Sequence, residues 1–337
     1  MKFFRKLLFP FSLIYWGITT VRNWLYDRGF FKSYSFDIPV IAVGNLSVGG
    51  TGKTPQIEYL IRLLSEKYRV AVLSRGYKRQ SKGFVLADDF ATVNNLGDEP
   101  FQYFKKFKNS QVAVDSNRVN GINMLLDLEK KPEIILLDDA FQHRRVRAGF
   151  YVLLTTFNDL YCDDMVLPAG SLRESQQGAK RANAIIVTKC PADLSVEKQI
   201  EIETELQLLP YQNIFFSTIA YDEFAFSHHS KLLTTDLVDI PKLIVAGIAK
   251  PEPFINYVKN EADEVLIYPD HHQFSENNII EIQKKLKDKI IVTTEKDYVR
   301  FDKNLFPENL FYLRIQTKFL KNKEVFDDLI LNFVKAE

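Results

Sequence analysis

The stretch GNLSVGGTGKTP, residues 44–55, limits what this chain can fold into more than any other feature. Before it runs Ile38-Pro39-Val40-Ile41-Ala42-Val43, a short apolar run rich in β-branched residues that predicts a buried strand. After it, Pro55 to Leu64 is apolar at helical spacing. Strand, glycine loop, Lys-Thr and helix form the context of a phosphate-binding loop. Gly49, Gly50 and Gly52 let backbone N–H groups curl around an anion at the positive end of the helix. Lys53 is then expected to reach β- and γ-phosphates, and the Thr54 hydroxyl to ligand Mg²⁺. The strict pattern has glycine where this chain has Ser47. A glycine-rich turn that merely caps a helix is the competing explanation; the flanks favour a nucleotide site.

Further strand-like runs alternate with helical segments: 69–74, 111–114, 133–137, 151–155 and 184–188. That order predicts a mainly parallel sheet with helices on both faces. A second series follows at 213–219, 242–246, 264–268, 289–293 and 310–314. Between the two lies a polar, helix-like stretch, Leu194–Leu209, ending at Pro210, and the domain boundary is expected there. No internal repeat or low-complexity segment stands out.

Length of 337 residues suits two domains, and a net charge of +1 argues against a nucleic-acid scaffold. Cys162 and Cys190 provide neither a disulfide framework nor metal-ligand spacing, so a reducing compartment is expected. Charge is uneven near the N-terminus, where Lys2, Arg5, Lys6, Arg22, Arg28 and Lys32 face only Asp27. Between them, Leu7 to Val21 is uncharged, rich in aromatics and interrupted by Pro10. It is short of the roughly 20 residues a spanning helix needs, and no small-residue cleavage site follows. An interfacial helix with basic flanks toward anionic lipid is expected. The alternative is a helix packed on the protein's own core.

Several stretches carry candidate chemistry. EIILLDDAFQH is an apolar strand ending in Asp138-Asp139, where a nucleotide enzyme holds its Mg²⁺. GDEP places Asp98 before a helix, where an N-cap role competes with catalysis. YPDHHQFS offers Asp270, His271 and His272, of which one histidine could relay a proton. LSRGYKR, SNR and PAGSLRES bring Arg75, Lys78, Arg118, Arg173 and Glu174. Cations gathered at strand ends suit a phosphate donor and an anionic acceptor. VTKCPADL and VTTEKDYV lack the residue order of a guanine-reading motif, so base preference is not legible.

Eight motifs in order, VGNLSVGGTGKTP, VLSRGYKR, GDEP, DDAFQHRRV, PAGSLRE, GIAKPEPF, DHHQF and VTTEKDYVR, resemble the tetraacyldisaccharide 4′-kinase family, the lipid A 4′-kinases. The family's loop carries this same variant at Ser47. The resemblance implies a P-loop NTPase-like α/β/α domain plus a smaller second α/β/α domain, joined by a short β linker, with an N-terminal membrane-associated helix. Residues 1–28 would be the helix, 29–208 the kinase domain, and 209–337 the smaller domain completing an active-site cleft. It implies ATP and Mg²⁺ as cofactors and transfer of the γ-phosphate to the 4′-hydroxyl of tetraacyldisaccharide 1-phosphate, giving lipid IVA. The partners implied are that lipid and the cytoplasmic leaflet of the inner membrane, with no nucleic acid and a monomeric protein.

Carried onto this sequence, Ser47, Val48, Gly49, Gly50, Thr51, Gly52, Lys53 and Thr54 bind the nucleotide. Thr54, Asp138, Asp139 and Glu174 are metal candidates. Asp98 is the catalytic base, with Lys53 beside the phosphates and His271 as partner to Asp98. Arg75, Arg118, Gln142, His143 and Arg173 are candidates for substrate and phosphate contacts. Asp98 and His271 fall in different expected domains and cooperate only if these close on substrate. Ala140 stands where the resemblance leads one to expect glycine. A membrane-associated P-loop switch ATPase is the competing class, but its loop carries lysine immediately before the two glycines, and here that place is Val48.

Overall fold

The structure is a computed structural model that describes residues 7–270, 272–301, 305–306 and 308–336. Two compact units emerge. The first runs to Ile219 and is rejoined at Thr317; the second is Ala220–Gln316.

The first unit opens with helix α1 (Phe9–Asp27) and strand β1 (Val40–Asn45). There follow α2 (Lys53–Leu64), β2 (Val70–Ser74), β3 (Val85–Leu86), α3 (Asp98–Lys106), β4 (Gln111–Val114), α4 (Arg118–Leu126) and β5 (Ile134–Asp138). Next come β6 (Phe150–Thr156), β7 (Ala184–Thr188), α5 (Val196–Leu206) and β8 (Asn213–Phe226), whose later half enters the second unit. The strands lie in the order β8-β7-β6-β1-β5-β2-β4-β3. Neighbouring strands pair in parallel except β3, which is antiparallel to β4. In a parallel sheet the carboxyl ends of the strands share one edge, and that edge is where ligands bind.

Both faces of this sheet are covered, which is why its strands read as unbroken apolar runs rather than alternating ones. Ile41, Val43, Val72, Leu136 and Val152 pack with Ile57, Leu60, Ile61 and Leu64 of α2. On the other face, Ala42, Leu73, Ile135 and Leu137 pack with Ile122 and Leu125 of α4.

The second unit contains β9 (Lys231–Leu233), β10 (Lys242–Ala246), α6 (Glu252–Val258), β11 (Glu264–Ile267), α7 (Glu276–Leu286), β12 (Ile290–Thr294) and most of β13 (Leu310–Phe319). Strands β11-β10-β12-β13 form a parallel series, with β9 antiparallel to the end of β8. Phe254 and Val258 cover one face; Ile279 and Ile282 cover the other.

The chain then returns to the first unit as α8 (Lys323–Ala336). Its Phe326, Ile330 and Val334 join the apolar layer of α2, and Tyr59 of α2 hydrogen-bonds Asp327 at 2.5 Å. This differs from the sequence expectation of a single cut between 208 and 209. Residues 213–216 still pair with β7, and the last helix supplies part of the first unit's core. The strands β8 and β13 also outrun their expected spans, because polar residues such as Asp222 and Gln316 continue them as half-exposed backbone.

Helix α1 is amphipathic with its apolar side outward. Phe11, Ile14 and Ile18 are about 60 % exposed, at 60 %, 63 % and 63 %, while Ser12 is buried. Pro10 falls in the first turn, where its missing N–H costs nothing. No described helix is long and apolar enough to cross a membrane.

Candidate active site

The phosphate loop leaves β1 at the carboxyl edge, where Gly44 and Asn45 end the strand. Gly44 is required there: a Cβ would lie 2.6 Å from the Phe141 Cβ and 2.9 Å from its backbone nitrogen. Gly49 and Gly52 have φ of +122° and +88°, conformations that side chains resist. The loop is fastened on two sides. Val48 N–H donates to the Ser171 carbonyl at 2.8 Å, and Ser47 bridges Leu172. From β7, the Thr188 hydroxyl donates to the Thr51 carbonyl at 2.8 Å, and Lys189 Nζ donates to the Gly50 carbonyl at 2.6 Å. These last two residues belong to VTKC, so in this protein that motif anchors the loop.

Register carries the acids to the loop. Val43 of β1 lies opposite Asp138 of β5, one residue before the loop's Gly44. Lys53 Nζ donates to Asn45 Oδ1 at 3.1 Å and stands 3.6 Å from Asp139 Oδ1. Arg173 binds the same carboxylate at 3.0 and 3.1 Å. Asp139 has φ +48°, so the left-handed turn after β5 falls on an aspartate and leaves Ala140 unstrained. The glycine expected at 140 is therefore unnecessary.

The two carboxylates differ in charge environment. Burial pushes Asp138 up to about 7, Glu99 and Asp139 add to that, and Lys53 and Arg118 pull against it. Its Oδ2 accepts one hydrogen bond from Ser74 at 3.2 Å. Burial also raises Asp139, but Lys53 and Arg173 outweigh it and hold that carboxyl below its ordinary value. Asp138 is the acid left short of positive charge. Asp138, Asp139 and the Thr54 hydroxyl offer only oxygen donors, the kind that suits a hard cation such as Mg²⁺.

Glu174 has a different setting from the one expected of a metal ligand. It is buried, and its carboxylate accepts from Asn23 at 2.6 Å, Arg181 at 2.8 Å and Gln142 at 3.1 Å. Three donors leave it little capacity for a cation, so it is set aside from the metal candidates. Gln142 also donates to the Asn45 carbonyl at 2.9 Å.

Arg118 is buried, donates to the carbonyls of Asp115 and Asp138, and keeps its Nε without a partner among the described residues. It lines a cavity of about 260 Å³ together with Arg22, Asn117, His143, Arg144 and Arg145. Burial, then the charges of Arg118 and Arg75, hold His143 down at about 4, so it is neutral near pH 7. Arg75 is exposed, and so is Lys78.

Asp98 is half-buried at the first residue of α3. Gly97, with φ +91°, is the N-cap, so the capping role weighed for Asp98 does not apply. The next turn brings Tyr103, fully buried, with Thr54 and Asp138 for neighbours. Neither Tyr103 nor Asn45 stood out in the sequence. Asn45 had one legible signal, a polar residue ending an apolar strand where Lys53 folds back.

In the second unit, His271 lies outside the described residues. His272 is engaged locally, with Nε2 2.9 Å from Asn278 Oδ1 and its ring stacked 4.7 Å from that of Tyr268. Asp270 stands 3.7 Å from Lys296. In VTTEKDYV, Asp297 is buried and accepts from Gly247 N–H, Thr294 and Arg300.

Comparison with known proteins agrees with this geometry. The family model described as LpxK, tetraacyldisaccharide-1-P 4′-kinase, matches residues 4–335. A tetraacyldisaccharide 4′-kinase of Flavobacterium johnsoniae is 56 % identical over 335 residues, covering 99 % of this chain and 98 % of the relative. That of Flavobacterium psychrophilum is 57 % identical over 340 residues, covering 100 % and 98 %. The crystal structure of LpxK from Aquifex aeolicus in complex with ATP superposes with a TM-score of 0.80 at 30 % identity, over 98 % of this chain and 99 % of that one. A match of this extent, on top of a fastened phosphate loop and its paired acids, leaves one assignment: the chain belongs to the tetraacyldisaccharide 4′-kinase family.

Proposed function

We propose how the residues of this kinase share the transfer of the ATP γ-phosphate to the 4′-hydroxyl of tetraacyldisaccharide 1-phosphate. The observation that carries the reading is Lys53 Nζ, held between Asn45 and Asp139 at the mouth of the phosphate loop. Residues Ser47–Thr54 cradle the phosphates of ATP, the nucleotide bound by the Aquifex aeolicus protein. Lys53 meets the β- and γ-oxygens. Thr54 and Asp138 would hold Mg²⁺ with Asp139 beside them, and the ion when bound would neutralise phosphate charge. Asp98 accepts the hydroxyl proton as the O4′–P bond forms and the bond from the γ-phosphorus to the β–γ bridging oxygen breaks, leaving ADP. Arg173 keeps Asp139 ionised and in place.

The cavity formed by Arg22, Arg118, His143 and Arg145 receives the acceptor's own phosphate. No carboxylate is ion-paired to Arg22, Arg118 or Arg145 among the described residues, and the N-terminus of α4 adds its dipole. The apolar outer side of α1 lies in the cytoplasmic leaflet of the inner membrane, where a tetraacylated acceptor resides, and the protein works there as a monomer. A helix docked on its own core would have turned that side inward.

The test is incubation with γ-labelled ATP and the disaccharide 1-phosphate. Lys53→Ala should cut labelled lipid by orders of magnitude in a folded protein. Asp98→Asn should lower turnover while nucleotide affinity holds. Wild-type turnover in Lys53→Ala would overturn the phosphate-loop assignment, and wild-type turnover in Asp98→Asn would remove the base.

A further inference from the structure

The outward side of α1 is accounted for by lipid, but its inward side touches the catalytic loops. Besides the contacts of Arg144 with Asn23 and Asp27, four polar contacts made by helix side chains join them. Ser12 Oγ accepts from Ala169 N–H at 2.8 Å, and the Tyr15 hydroxyl donates to the Arg173 carbonyl at 2.9 Å. Arg22 donates to the Gln142 carbonyl at 3.0 Å, and Asn23 Nδ2 donates to Glu174 Oε2 at 2.6 Å. Residues 12, 15, 22 and 23 recur at helical spacing, so one face of the helix makes all four contacts.

From Asn23 the hydrogen bonds run without a break to the phosphate loop. Glu174 accepts from Gln142, Gln142 donates to the Asn45 carbonyl, and Asn45 accepts from Lys53 Nζ. A parallel branch passes from Tyr15 through the backbone of Arg173 to Asp139. We infer that Asn23 is a positioning residue for phosphoryl transfer: its amide donates to the Glu174 carboxylate and so holds Gln142 and Arg173 in the places from which they set Asn45, Lys53 and Asp139. Helix α1 is then part of the catalytic scaffold as well as the lipid-facing element. This rests on the reading of Lys53 and Asp139 as the phosphoryl-transfer centre.

The chemistry explains the choice of an amide. Glu174 is 1 % exposed and already has Arg181 at 2.8 Å and Gln142 at 3.1 Å on Oε1, so Oε2 needs a neutral donor. A buried carboxylate oxygen that loses its donor carries the full cost of desolvation. Rearrangement of the loop is the cheaper response, and it moves Arg173. Misplacement of reacting groups by an ångström is enough to cost up to about a hundredfold in rate.

The experiment uses the full-length protein in mixed micelles at saturating ATP and acceptor. Asn23→Ala should lower kcat roughly tenfold or more, leave binding to anionic vesicles unchanged, and change the acceptor KM little. Asn23→Asp, nearly isosteric, should be worse than Asn23→Ala, because two carboxylates then face each other. Its deficit should deepen as pH rises and the second carboxyl ionises, a profile that a packing defect does not produce. Circular dichroism and melting temperature confirm that both variants fold. Wild-type kcat in both folded variants would overturn the inference, as would a change in KM alone that tracks vesicle binding. If the unaltered protein labels no lipid at all, the functional reading fails instead, which is a separate outcome.

Discussion

At the scale of single residues, Asp138 and His143 pull the pH dependence of stability in opposite directions. Asp138, held near 7, keeps a proton in the folded state that the unfolded chain has released above about 4. Stability therefore falls as pH rises from about 4 to 7 on its account, and then levels. His143, held near 4, stays neutral when folded while the unfolded chain takes up a proton below about 6.5. Its contribution is lost as pH falls through that window. Melting curves in EDTA should show this as slopes relative to wild type of opposite sign for Asp138→Asn and His143→Gln between pH 4.5 and 6.5. At pH 8 Asp138→Asn should melt several degrees above wild type, the relief being on the order of 2–4 kcal/mol, while its kinase activity falls by orders of magnitude. A lower melting temperature for Asp138→Asn would mean that the buried carboxylate is already compensated without metal. The sequence made Asp138, Asp139 and Lys53 legible because strand-end acids and loop lysines have one dominant use in such a context. It concealed Asn45, Tyr103 and Asn23, because their places beside the site come from contacts with partners such as Lys53, Thr54 and Glu174 that the sequence does not announce.

At the scale of elements, the junction of β1 with the loop tolerates no side chain at Gly44. The atoms a Cβ would meet at 2.6 and 2.9 Å include the backbone nitrogen of Phe141, so a methyl group must push apart β1 and the turn after β5. Gly44→Ala should cost about 1–3 kcal/mol and weaken ATP binding several-fold, measured by denaturant unfolding and by nucleotide titration. An alanine variant with unchanged affinity would show that the loop moves independently of Phe141. Strands β1, β2, β4, β5, β6 and β7 were legible to within a residue or two, since a sheet covered on both faces leaves pure apolar runs, whereas the two-residue β3 left no such run. Helix α1 was legible as a helix with basic flanks. Which of its sides met the protein was not, because Ser12, Tyr15 and Asn23 give no sequence sign of a buried polar face.

At the scale of the whole molecule, the outward apolar side of α1 makes a prediction separable from its inward contacts. Ile14→Glu with Ile18→Glu leaves residues 12, 15, 22 and 23 in place. This variant should bind anionic vesicles more weakly and show a raised apparent KM for vesicle-borne acceptor, while its kcat in micelles stays near wild type. Sedimentation with vesicles measures the first, and unchanged binding would return this side of the helix to another role. Domain organisation was only half legible. Apolar periodicity revealed two strand series, but nothing in the sequence of α8 says which of them it covers.

The return of α8 sets a timetable for biosynthesis. Phe326, Ile330 and Val334 join the layer that backs α2, yet they leave the ribosome only after the whole second unit. Between Ile219 and Thr317 the chain translates all of residues 220–316, about 5–20 s at bacterial rates. Throughout that interval the nascent nucleotide domain lacks the cover that this helix gives Tyr59, Phe150 and Phe215. A premature stop codon near residue 317 would therefore deprive the ATP-binding half of its own wall rather than trim a dispensable tail.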